Sequence, residues 1–259
     1  MKNMLITSTG NERIKHLKAL IKKSSLRKEE GLYVVEGWRA FEEIPKELLC
    51  ETFVAESCRG RCSGKNVFTV SDRVIESVSD TGTSQGVIAT VRMQTSKRPD
   101  YKKGGFFIAC ERLQDPGNLG TIIRMSEAAG VCSVILSKDT VDLYNPKTVR
   151  ATMGASFRVP VFIPEDFCAE LELMKKAGIN VYGAALEESI DYADNDYTHP
   201  TAFVIGNEGN GLTEAAKKAC TGLVRIPMEG KVESLNASVA ASVLAFEAYR
   251  QKRISVRKK

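Results

Sequence analysis

Between Val204 and Leu212 the chain reads VIGNEGNGL, a glycine-rich loop with a carboxylate, Glu208, at its centre. Gly206, Gly209 and Gly211 follow the spacing G-x-x-G-x-G. That is neither the dinucleotide fingerprint nor a P-loop, since no Lys-Ser/Thr pair comes after Gly211. A carboxylate repels phosphate at close range, so the loop suits a ligand without phosphate, and a cationic one best. Two other stretches carry side chains of the same kind. In DPGNLGTIIRMSEAAG, Asn118 precedes an expected helix and Arg124 lies two turns into it, among Leu119, Ile122, Ile123 and Met125. In IPMEGKVESLNASVAAS, Ser234, Asn236 and Ser238 stand at the mouth of a final helix, whose Ala237, Ala240, Ala241 and Ala245 permit close packing. Taken alone, Ser234 and Asn236 read equally well as helix caps, and Arg124 as a surface residue.

Other chemistries are excluded by composition. His16 and His199 are the only histidines, so no histidine-rich metal site can be built. Cys58 and Cys62 form a C-x3-C pair with no second pair at zinc-site spacing, and read as ordinary thiols. The seven cysteines are irregularly spaced, which fits a reducing cytoplasm better than a disulfide framework. No apolar run approaches the length of a membrane span, and the N-terminus has no apolar core of a signal peptide.

The elements that must position these residues fall into two parts. In the first, LYVVEGWRAFEEI reads as a strand entering a helix, ETFVAES, NVFTVSD and QGVIATVRM as strands, and RVIESVSD as a helix. A polar, basic stretch, QTSKRPDYKKGG, reads as a linker, which places the parts at residues 1–98 and 105–259. Beyond it strands and helices alternate: FFIAC, CSVILS, RVPVF, INVYGAAL, TAFVIG and GLVRIPM as strands, with helices between them and a last helix from about Asn236 to Arg250. That alternation predicts an α/β domain with a mostly parallel sheet. All three polar loops follow an expected strand, so they can converge at the carboxyl edge of that sheet, where open α/β sheets bind ligands.

Charge is unevenly placed. Residues 1–103 hold 19 Lys+Arg against 13 Asp+Glu, whereas the remainder holds 18 against 19. Lys15, Lys18, Lys22 and Lys23 lie in the basic N-terminal stretch, which reads as the footprint of a protein that meets a polyphosphate or as a solvated helix face.

The segments NLGTIIRMSEAAG, VIGNEGNGL and IPMEGKVESLNASVAASVLAFEAYR, in this order and separation, resemble the three motifs of the SpoU (TrmH-like) RNA ribose methyltransferases. LYVVEGWRAFEEI and TSQGVIATV resemble that family's ribosomal-protein-like substrate-binding domain. The resemblance implies a SPOUT-type C-terminal domain with a deep trefoil knot, a homodimer, and S-adenosylmethionine as cofactor, with no metal. It implies that backbone groups of Gly206, Ile226 and Leu235 hold the cofactor, with Asn207, Gly209 and Met228 nearby and Ala184 and Leu186 forming a further wall. It also implies that Arg124, Asn118, Glu208, Ser234 and Asn236 make the catalytic set. A guanidinium holds its proton firmly, so the reading preferred for Arg124 is an RNA phosphate anchor that stabilises the emerging alkoxide, rather than a base. The expected substrate is ribosomal RNA in the cytoplasm; tRNA, or an inactive RNA-binding module of the same fold, are the alternatives.

Overall fold

The computed structural model describes residues 5–80, 83–94, 97–232 and 234–257. In chain order the elements are α1 (Glu12–Lys22), α2 (Ser24–Glu30), β1 (Leu32–Glu36), α3 (Trp38–Glu42), β2 (Leu49–Ala55), β3 (Val67–Val70), α4 (Asp72–Glu76) and β4 (Val87–Arg92). There follow β5 (Phe106–Cys110), α5 (Pro116–Ala128), β6 (Ser133–Leu136), α6 (Pro146–Thr152), β7 (Val161–Phe162), α7 (Phe167–Lys176) and β8 (Asn180–Ala184). The chain ends with β9 (Ile190–Asp191), β10 (Thr201–Ile205), α8 (Glu214–Ala219), β11 (Gly222–Arg225) and α9 (Ala237–Arg257). Among these described residues no helix is long and apolar enough to cross a membrane.

Backbone contacts divide the chain into two units. One holds the chain up to residue 95 together with Asp142–Phe157; the other holds the remainder. The first unit carries a four-stranded sheet in the order β1-β4-β2-β3, antiparallel except for the parallel β2–β3 pair. Ile14, Leu17 and Leu20 recur at helical spacing on α1 and are buried among Val34, Phe53, Val70 and Ile88. The basic N-terminal stretch is thus a packed amphipathic helix, not a free arm. Lys15 and Lys22 lie on its exposed face, Lys18 is partly buried, and Lys15 pairs with Glu12 at 2.8 Å.

The segment Asp142–Phe157 falls within the stretch expected to belong to the second part, yet its contacts are with the first unit. Buried Arg27 donates to Asp142 Oδ2 from Nη2 at 2.5 Å, Tyr144 packs on Tyr33 with ring centroids 4.6 Å apart, and Val149 joins the cluster of Val35, Ala89 and Val91. A change of composition along the chain marks a linker, but it cannot mark an excursion of this kind.

The second unit is built on a seven-stranded sheet in the order β7-β6-β5-β10-β8-β11-β9, with every pairing parallel. Its central strands β5 and β10 are buried at every residue, as expected for strands covered on both faces. The chain runs outward from β5 through β6 to β7, then crosses back to the other side of β5. The strand order therefore reverses beside β5 and β10, and the loops leaving β5, β10, β8 and β11 gather at one edge.

Two details depart from the expected elements. Asp115 caps α5 by accepting from the amide of Asn118 at 2.8 Å, and Pro116 fills the first turn, so Asn118 lies inside the helix rather than ahead of it. Helix α9 continues to Arg257, well beyond Arg250. The two-residue strand β9 has no hydrophobic period of its own and was not legible.

Candidate active site

The Gly206 loop is the tightest element of the edge. A Cβ on Gly206 would lie 2.3 Å from the carbonyl carbon of Gly211 and 2.5 Å from the amide of Leu212, both backbone atoms, so no side chain fits there. The closeness comes from a two-bond bridge: the Asn207 amide donates to Gly211 O at 3.0 Å, and the Gly211 amide donates to Asn207 O at 2.9 Å. Gly211 adopts φ +64°, the left-handed region that glycine enters without strain. Asn207 Oδ1 accepts from the amides of Gly209 and Asn210, each at 3.0 Å, while its Nδ2 donates to Arg112 O at 2.9 Å. Asn207 thus shapes the loop tip and ties it to the β5–α5 connection.

Glu208 is exposed as a residue, yet its two oxygens take donors from the next loop. Oε2 accepts from the Gln114 amide, and Oε1 from the Asp115 amide and Asn118 Nδ2, each at 3.0 Å. Partial burial opposes the charge, but the hydrogen bonds from Asn118, Asp115 and Gln114 outweigh it and hold the carboxyl below the usual carboxylate range. An ionised carboxylate only accepts, which fixes the Asn118 amide with its nitrogen toward Glu208. Asn118 Oδ1 is then left to accept from Asn236 Nδ2, at 2.9 Å. Asn236 in turn presents its oxygen to the start of α9, where the amide of Ser238 donates at 2.9 Å and its hydroxyl at 2.7 Å. Each orientation dictates the next, so one chain of hydrogen bonds wires all three motifs together. Asn236 is therefore both a helix cap and a member of this network.

Beside the network lies a cavity of about 380 Å³, within the range of small-molecule sites. Ala184 and Leu186 line it after β8, Gly206, Asn207 and Gly209 after β10, Ile226 and Met228 after β11, and Leu235 before α9. Glu208 and Ser234 also reach it; Ile205, Leu212, Val224 and Leu244 supply apolar wall, and Lys217 and Arg225 stand on its lining. Asn118 and Asn236 do not line the cavity, and touch it only through Glu208 and the α9 cap. Arg124 does not line it either. It is exposed on α5, with no side-chain hydrogen bond or ion pair among the described residues. Ser234 Oγ likewise has no hydrogen bond among them. No cluster of His, Cys, Asp or Glu among the described residues is placed to hold a metal.

One supporting residue escaped the sequence reading. Buried Glu111, directly after β5, accepts from the Thr213 amide at 2.9 Å and from its hydroxyl at 2.7 Å, fixing the start of α8 behind the glycine loop. The available signal was a charged residue continuing a fully apolar strand, FFIACE.

The network makes a checkable prediction. In Glu208→Gln only one oxygen remains, so a donor from Gln114, or those from Asp115 and Asn118, must face an NH2. Allowing for access of water, the expected loss of stability is about 1 kcal/mol. Because the carboxyl is held low in the folded chain, its contribution is complete above the ordinary carboxylate range and disappears as the pH falls through the lowered value. Thermal unfolding of parent and variant should therefore differ at neutral pH and converge in acid. A gap that ignores pH would show that the charge of Glu208 is not what matters.

Fold and cavity together define an α/β domain that takes a ligand at the carboxyl edge of its parallel sheet. The chain belongs to the SpoU rRNA methylase family, whose model matches residues 105–246, and residues 11–89 match an MRM3-like substrate binding domain. It is 31% identical to the 23S rRNA (guanosine(2553)-2'-O)-methyltransferase RlmP of Bacillus subtilis, over 93% of this chain and 97% of that protein. Among solved structures it is similar to the AdoMet-bound rRNA methyltransferase of Sinorhizobium meliloti, with a TM-score of 0.82, 28% identity, and 95% and 97% of the two chains covered. It is also similar to the SpoU methyltransferase AviRb of Streptomyces viridochromogenes in complex with AdoMet, with a TM-score of 0.81, 28% identity, and 95% and 99% covered. The protein is a SPOUT-type methyltransferase that uses S-adenosylmethionine.

Proposed function

We propose that this chain methylates a ribose 2′-hydroxyl in ribosomal RNA, with 23S rRNA the favoured target, by its similarity to the 23S rRNA methyltransferase RlmP. The observation that carries the reading is the hydrogen-bonded chain Glu208–Asn118–Asn236 lying against the cavity. It joins the start of α5, the glycine loop and the mouth of α9, and so holds rigid the elements around the cavity.

The cavity fits the cofactor by its chemistry. Gly206 and Gly209 offer backbone without side chains, and Leu186, Ile226, Met228 and Leu235 offer apolar wall for an adenine. Backbone groups of Gly206, Ile226 and Leu235 are proposed to hold it, with Ala184, Asn207 and Met228 around it. When bound, the sulfonium supplies a methyl group already activated for transfer. The work left to the protein is to align the ribose oxygen and to ease loss of its proton. Arg124 is proposed to grip an RNA phosphate and to stabilise the alkoxide as it forms. Asn118, Glu208 and Asn236 hold the three motifs in register, and the hydroxyl of Ser234 at the cavity, without a hydrogen bond among the described residues, is free to meet a ligand.

Residues 1–98 act in this reading as the substrate-binding domain and 105–259, apart from the Asp142–Phe157 segment that belongs to the first unit, as the methyltransferase domain. A trefoil-knotted course of the C-terminal segment and a homodimer also belong to it. The exposed apolar residues Val239, Phe246 and Tyr249 recur along one side of α9 and supply a face for such a dimer. The deciding experiment maps ribose methylation across total RNA from cells with and without this protein. A single site lost with the protein and restored by it is the expected result; an unchanged map rules the proposal out.

A further inference from the structure

The first unit contains the chain's single tryptophan, held in a way that packing alone does not require. Trp38 opens α3 directly after Gly37, whose φ is +94°. Its Nε1 donates to Gln85 O at 2.8 Å, its amide donates to Gln85 Oε1 at 3.1 Å, and Phe41 meets its ring edge-on with centroids 5.7 Å apart. The indole is thereby fixed, yet it stays only half-buried. Over its ring lies the guanidinium of Arg61, 3.8 Å from the centroid.

Arg61 belongs to the β2–β3 connection, where the stretch CRGRCSGK carries Arg59, Arg61 and Lys65 and no acidic residue. All three are exposed, and none forms an ion pair among the described residues. A cation set on an aromatic ring merely to brace a loop gains little at the surface. A rigid indole with a planar cation upon it, and two further exposed cations on the same connection, has the composition of a base-stacking site. Among the described residues the lysines of α1 have no such aromatic partner.

We propose that Trp38 and Arg61 form a stacking platform for an unpaired RNA base. The base lies against the open plane of the guanidinium, while the N–H groups of Arg61, with Arg59 and Lys65, hold the flanking phosphates. The platform rests on RNA being the substrate, and it makes single-stranded, splayed-out RNA the element that the first unit selects.

Trp38 is its own reporter. Full-length protein is titrated with an in vitro 23S rRNA transcript and, separately, with perfectly double-stranded RNA, while binding is followed independently by anisotropy of labelled RNA. The transcript is expected to quench tryptophan emission in step with binding, and the duplex to leave it unchanged. Arg61→Lys keeps the charge but loses the plane. It should bind the transcript roughly tenfold more weakly, the scale of one lost stacked base, with its slope against salt and its thermal unfolding unaltered. Binding of the transcript without any change in emission overturns the platform while leaving the methyltransferase reading intact. An equal quench by heparin reduces the site to an anion patch, and an Arg61→Lys variant that binds like the parent removes the role of the plane. Absence of any transcript binding to the parent protein would defeat both the platform and the RNA reading beneath it.

Discussion

Gly206→Ala should destroy cofactor binding and destabilise the fold, although it adds a single methyl group. The new carbon would meet Gly211 and Leu212 at 2.3–2.5 Å, and the atoms it meets are backbone. Relief requires breaking the Asn207–Gly211 bridge, which would release the Asn207 side chain from Arg112 and separate Glu208 from Asn118 on α5. The expected cost is about 3 kcal/mol, at the upper end of overpacking penalties. For a chain of this size that lowers the melting temperature by roughly 6–12 °C. Calorimetric titration with S-adenosylmethionine should show affinity reduced at least about a hundredfold. Gly209→Ala is the comparison. Its nearest neighbour, Asn207 Oδ1, would be 3.6 Å from the added carbon, so the free loop accommodates it. If Gly209→Ala leaves unfolding unchanged and still weakens the cofactor, the ligand passes directly over Gly209. If Gly206→Ala binds the cofactor like the parent, the loop is not the cofactor cradle.

The same loop shows what a sequence can and cannot disclose. Its spacing excluded dinucleotide and P-loop chemistry, and the carboxylate argued against phosphate; both inferences need only residue types and short-range electrostatics. The reading that the loop's carboxylate suits a cationic ligand leaves out what Glu208 binds within the chain. Its oxygens are taken by Gln114, Asp115 and Asn118, whose amides lie ninety or more residues away along the chain. No local pattern specifies such a contact. Asn236 illustrates the same limit from the other side, because its capping role is written in the adjacent Ser238 and its bond to Asn118 is not. Regular elements were legible where burial on both faces imposed an unbroken apolar run, as in β5 and β10. The placement of Asp142–Phe157 with the first unit was hidden, since it depends on Arg27 and Tyr33 finding partners far along the chain.

Arg124→Ala should lower methyl transfer by roughly a hundredfold or more, the scale of one lost oxyanion donor, while leaving cofactor affinity and stability unchanged. The separation of effects follows from where the residue stands. Leu119, Ile122 and Ile123 bury the core side of α5, whereas Arg124 is exposed and has no side-chain hydrogen bond or ion pair among the described residues. Removing it leaves no buried group unsatisfied, and alanine favours a helix at least as well as arginine, so the melting temperature should hold. Nor does it line the cavity, so titration with S-adenosylmethionine should give the parent affinity. The partner proposed for Arg124 lies outside its own unit: the phosphate and ribose of the RNA. Arg124→Lys refines the test. A lysine preserves the charge but not the planar fork of donors, so it should recover part of the rate if Arg124 acts as a phosphate anchor through charge, and little if paired hydrogen bonds set the ribose. Single-turnover methylation of a 23S rRNA transcript, with RNA and cofactor saturating, separates the chemical step from binding. A fall in rate at saturation places Arg124 in the transition state; a loss confined to RNA affinity makes it an anchor alone. Methylation by Arg124→Ala at the parent rate, with parent affinity for RNA, would take Arg124 out of the reaction altogether.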